Sequence, residues 1–134
     1  MVLAVGTLSD GCAILDAIIL NTDRHYGNFG VLFDTNTLKI LSMPPVFDHN
    51  RSLLPELNDH QIVDSACYLQ HCKPKLGQDF IQNARRLLTD SIRQDLLELE
   101  DFEFQQHNDI LIKQERLDAL NRIVQERTCL ILSD

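Results

Sequence analysis

Apolar residues between Leu8 and Ile19 (Leu8, Cys12, Ala13, Leu15, Ala17, Ile18 and Ile19) recur close to every third or fourth position, the period of one helix face. This predicts a mostly buried first helix with Ser9 or Asp10 as its N-cap, since a short side-chain oxygen can take an amide left unpaired in the first turn. The pattern then changes abruptly. A polar cluster, "NTDRHYGN", occupies Asn21 to Asn28, and beyond it "FGVLF" and "LKIL" flank "DTNT". Two short strands joined by a turn that Asp34 and Asn36 tolerate would make a β-hairpin.

The segment "SMPPVFDHNRSLLPELND" reads as loop, because Pro44 and Pro45 stop the second strand and Pro55 interrupts whatever begins at Ser52. From Ile62 onward helix formers dominate. Phe80, Ile81, Ala84, Leu87 and Leu88 mark one amphipathic helix, Ile92, Leu96 and Leu97 a second, and Leu117, Leu120, Ile123, Val124 and Leu130 a long terminal one. The acidic stretch "LLELEDFEF" reads as a solvated helix end and turn. The expected fold class is α+β, mainly α: a helical bundle carrying one β-hairpin. Residues 1–134, 44% of them hydrophobic, suffice for a single domain with a real core.

Charge narrows the partners. A formal net charge of −8 generally repels nucleic acid, so a phosphate-bearing partner must be met by a metal cation or a small basic cluster. No run of eighteen apolar residues is present, since "CAILDAIIL" is short and broken by Asp16; no membrane span is expected. The opening lacks the basic start and long apolar centre of a secretory signal, which makes the cytoplasm the default. Cys12, Cys67, Cys72 and Cys129 have no tight ligand spacing, and this argues for free thiols over a zinc site or disulfides, with Cys12, Cys67 and Cys129 assigned to packing.

The chemistry sits around the hairpin. Asp23, His25 and Asn28 fall within six positions at the end of the first helix, and Asp48 follows Val46 and Phe47 after the second strand. The hairpin can fold the second loop back beside the first. Phosphoryl transfer asks little more of a protein than this: a carboxylate to orient the attacking hydroxyl, plus oxygen ligands for magnesium, which keeps several waters. A plainer account is a helix-ending turn in which Asp and Asn cap exposed amides.

The wording "NTDRHYGNFGVLF" followed by "PVFDHNRSLL" resembles the C-terminal lobe of HipA-like serine/threonine kinases, and is similar to the DRHxxN loop of phosphatidylinositol 3- and 4-kinases. It covers roughly residues 15–54; the later helices match in composition only. The resemblance implies a protein-kinase-like C-lobe with Asp23 as the catalytic acid and His25 beside it, and with Asn28 and Asp48 holding magnesium against ATP. Asp48 is followed by His49 and Asn50, not by Phe and Gly, so the moving phenylalanine of the DFG type is not implied.

Only twenty-two residues precede Asp23, and they contain no lysine, arginine or glycine-rich turn. The expectation is the second half of a kinase, needing an N-terminal lobe from another chain or a longer gene, and acting on a serine or threonine hydroxyl of a protein substrate. The alternative is a catalytically inactive remnant. An uncovered apolar floor near Phe29, Val31 and Val46 would then bind a regulatory partner or a second copy of the chain as a homodimer.

Overall fold

The computed structural model describes the backbone of residues 2–133 and, within it, the side chains of residues 11–133. It is mainly helical, with one two-stranded antiparallel sheet. Helix α1 spans Val2–Ile19, a single 3-10 turn spans Tyr26–Asn28, and the hairpin pairs β1 (Leu32–Phe33) with β2 (Ile40–Ser42). Then come α2 (Asp59–Val63), α3 (Ala66–His71), α4 (Phe80–Leu87), α5 (Asp90–Leu97) and α6 (Gln114–Leu132). No helix among the described residues is long and apolar enough to cross a membrane.

The core lies where α1, α4 and α6 pack on one another, with α2 and α5 laid against α6. From α1 it takes Ile14, Ala17 and Ile18, spaced three and four apart; from α4, Phe80 and Ala84; from α6, Leu120, Ile123, Val124 and Ile131. Leu15, one of the expected core positions, is 36% exposed because it falls off that stripe. The helix also starts earlier than expected. Ser9 and Asp10 lie within its span, since α1 continues back to Val2, so neither occupies the N-cap position; their side chains lie outside the described residues. Their unfavourable helix propensity is a weak preference that neighbouring context overrides.

α1 ends in a Schellman motif. Leu20 takes φ +57, and the Asn21 amide donates to Asp16 O at 3.0 Å. A leucine in that conformation is strained, and complete burial of its side chain offsets the strain. The polar cluster therefore begins at a point fixed by the core.

The two short helices α2 and α3 were not separated by periodicity, being too brief for it. α2 did carry a signal, a capping box: Asn58 Oδ1 accepts from the amides of His60 and Gln61, while Gln61 Oε1 accepts from the Asn58 amide. The acidic stretch is only half solvated. Glu98, Glu100, Asp101 and Glu103 face water, whereas Phe102 and Phe104 pack edge to face at 4.9 Å against the core. Cys12 is buried as expected, but Cys67 and Cys129 are exposed and contribute no packing, because they fall on the outer faces of α3 and α6.

The hairpin is narrower than its sequence suggested. Leu32 pairs with Ser42 and Phe33 with Ile40, with an irregularity between them. Asp34 makes the turn, accepting from the amides of Asn36 and Thr37 and from the Thr37 hydroxyl. These bonds, the Thr37 amide foremost, hold the Asp34 carboxyl below the usual range. Ile123 is buried at the centre of the helix packing, and Ile123→Ala should lower the free energy of unfolding by about 2–5 kcal/mol, read from the midpoint of a urea transition.

Candidate active site

Asp16, the residue that breaks the apolar run of α1, is buried beneath the polar cluster. Its carboxylate accepts two bonds from Arg24, Nε to Oδ2 at 2.7 Å and Nη2 to Oδ1 at 2.8 Å, and a third from Asn21 Nδ2 at 3.0 Å. The remaining arginine nitrogen, Nη1, donates to Phe47 O at 2.7 Å. Asn21 Nδ2 also reaches Asp48 O at 3.4 Å. Two consecutive carbonyls of the second loop are thus tied to the first loop and to α1. The bond to Asp16 raises the Arg24 pKa above its ordinary value, so this cation stays charged throughout the accessible pH range.

The clamp sets Asp48 against Asn28. Asn28 Nδ2 donates to Asp48 Oδ2 at 2.7 Å, across 20 residues of sequence. Asn28 is itself oriented by the 3-10 turn, its Oδ1 accepting from the His25 amide at 3.1 Å. His25 Nδ1 accepts from the Gly27 amide at 3.1 Å, so the imidazole acts here as the N-cap of the turn. Asp48 has φ +62, a left-handed conformation that aspartate adopts more readily than most residues.

Asp23 has hydrogen-bond partners other than that pair. Its amide donates to Asn21 Oδ1 at 3.2 Å, and its carboxylate accepts from Lys75 Nζ, arriving from the segment after α3. Hydrogen bonding to Lys75 is the main reason the Asp23 carboxyl lies below the usual range; His25 and Arg51 add to it. Asp23 is therefore ionised at neutral pH and can accept a proton.

Of the four residues singled out in the sequence, the fold joins Asn28 to Asp48 directly and His25 to Asn28 through the backbone, while Asp23 engages Lys75. A hard cation at this loop would need oxygen ligands, and Asn28 and Asp48 are the neighbouring side chains that carry them. Their donor types suit magnesium, for which one carboxylate and one amide oxygen are sufficient protein ligands. Asn28 offers its amide nitrogen to Asp48, so shared coordination requires the amide to turn end for end. Among the described residues no group of three or more His, Cys, Asp or Glu gathers, so a metal at this pair would draw most of its shell from water or from its own ligand.

Asp16, Asn21, Arg24 and Lys75 were missed in the sequence. Asp16 had left a trace: a charge on the core side of an apolar helix is rarely tolerated without a partner. Beside the loop lies an open cleft of about 640 Å³, walled by Phe29, Val31, Met43, Leu76 and Leu87 with Arg86 at its edge. Val46, expected on the same floor, lines a smaller hollow that shares Phe29 and Met43 with the cleft. No protein-family model matches this chain, and neither curated proteins nor solved structures include a match to it.

Asp16→Ala leaves the Arg24 charge buried and unpaired and should cost about 3–5 kcal/mol of stability by denaturant titration. Asp48→Gly relieves the left-handed strain that Asp48→Ala retains, so the glycine variant should be the more stable of the two by about 1 kcal/mol in the same measurement.

Proposed function

We propose that the chain is the helical C-terminal lobe of a HipA-like kinase, transferring the γ-phosphoryl group of ATP to a serine or threonine hydroxyl of a protein. The observation that carries this reading is the Asn28–Asp48 contact, which puts an amide and a carboxylate side by side at the mouth of the loop that holds Asp23. Their resemblance to metal-binding residues of that family makes the contact more than a turn. A nucleotide-covering lobe, supplied by another chain or by a longer one, completes the proposed enzyme.

In this mechanism Asp23 receives the proton of the acceptor hydroxyl. The hydroxyl oxygen forms its bond to the γ-phosphorus as the bond from that phosphorus to the bridging oxygen of the leaving diphosphate breaks. Asn28 and Asp48 would hold magnesium, which when bound neutralises charge on the phosphates. His25 caps the 3-10 turn that carries Asn28, its Nδ1 accepting from the Gly27 amide. The Asp16–Arg24 clamp keeps the second loop in register with the first.

A second reading, an interaction module without catalysis, is favoured by the hairpin. Leu32, Phe33, Ile40 and Leu41 are between 40% and 68% exposed, an apolar surface suited to a partner protein or a second copy. The two readings separate in one experiment. Magnesium and ATP together should raise the melting temperature of the full chain, by about 2.7 kcal/mol of stabilisation at one hundred times Kd, and Asp48→Ala should abolish the rise. A melting temperature indifferent to millimolar magnesium–ATP would favour the interaction module.

A further inference from the structure

The segment that delivers Lys75 is held by one side chain of α4. Asn83 Nδ2 donates to Leu76 O at 3.0 Å. Gly77 has φ +82, a conformation glycine adopts freely, and a methyl group there would overlap the Asn83 side chain. Pro74 restricts the backbone just upstream. Residues 74–77 are therefore anchored to α4 through Asn83, and Lys75 reaches from this segment to Asp23 across 52 residues of sequence.

An exposed ion pair contributes little to stability, and this one is half open, with the lysine side chain 54% and the aspartate 41% exposed. An anchored segment behind such a pair calls for a different account. Building on the reading of Asp23 as the group that takes the hydroxyl proton, we propose that Lys75 is a positioning residue for that step: seated by Gly77 and Asn83, its ammonium holds one Asp23 oxygen and leaves the other free for the acceptor hydroxyl. The proton passes to that free oxygen while the electron pair it leaves behind forms the bond to phosphorus. The pair of the broken bond stays with the departing diphosphate, and Lys75 keeps its own protons throughout.

The charged groups that bear on Asp23 are Lys75, His25 and Arg51, with Lys75 dominant. Each lowers its pKa, so removal of Lys75 moves the pKa upward and Asp23 picks up its proton at higher pH. The test is carbon NMR of the Asp23 carboxyl in the full chain, in wild type, Lys75→Met, Lys75→Arg and Gly77→Ala. Lys75→Met should raise the titration midpoint with little change in melting temperature, Lys75→Arg should restore it, and Gly77→Ala should move it the same way as Lys75→Met. An unchanged midpoint in Lys75→Met overturns the proposal.

Should acid unfold a variant before Asp23 titrates, the Lys75 ammonium protons supply the same answer at mildly acidic pH. They should exchange several-fold more slowly than those of Lys39 on the hairpin, and lose that protection in Asp23→Asn; exchange as fast as Lys39 in wild type contradicts the contact. Neither measurement involves nucleotide. Failure of the Asp48-dependent magnesium–ATP shift would therefore count against the kinase reading alone, and the Lys75 result would still be decided by NMR.

Discussion

Arg24 places one guanidinium between three parts of the chain: the carboxylate of Asp16 in α1, the loop on which the arginine itself sits, and the carbonyl of Phe47 after the hairpin. Both side chains of the ion pair are almost completely buried, at 4% and 6% exposure. A buried pair of this kind adds little stability relative to an apolar replacement, because desolvation consumes most of the attraction. What it does add is geometry. The planar fork accepts few arrangements of its partners, so the second loop can lie in only one register against the first. The Asn28–Asp48 contact inherits its position from that constraint.

Arginine bonds to main-chain carbonyls recur through the fold. Arg85 and Arg93, from α4 and α5, take the carbonyls of Leu130 and Leu132 at the open end of α6. Arg116 and Arg122, on α6, take those of Leu57, just before α2, and Val63, its last residue. Arg127 takes Ala17 O in the last turn of α1. With only two short strands among the described residues, much of the irregular chain there has no ladder in which to satisfy its carbonyls, and the long, multiply donating arginine side chains serve instead. Arg127 bears the largest cost: burial pushes its pKa down to about 10, one of its nitrogens has no partner, and the Phe80 ring at 5.5 Å supplies part of the compensation.

The site and the hairpin depart from what stability alone would select. Asp48 sits in a left-handed conformation, and the apolar side chains of β1 and β2 face water. Strain of this sort persists where surrounding bonds over-determine it, and here the Arg24 and Asn21 bonds to consecutive carbonyls do so. A two-stranded ribbon with so little burial is marginal by itself. Its attachment at both ends to the clamped loops keeps it in place, and the arrangement leaves the apolar face open beside the polar pair.

Local pattern was enough to place the amphipathic helices α4, α5 and α6, the hairpin, and the polar cluster that precedes the hairpin. These elements declare themselves in neighbouring residues: period, turn chemistry and proline all act within a few positions. The grouping of Asn28 with Asp48 was also legible, because a hairpin returns its ends to one another. Local pattern could not show that Asp16 and Arg24 would pair, or that Lys75 would arrive at Asp23 from the far side of α3. Those contacts depend on how α1, α4 and α6 pack, and a charge partner is chosen by distance in space, which the order of residues along the chain does not encode until the core has closed.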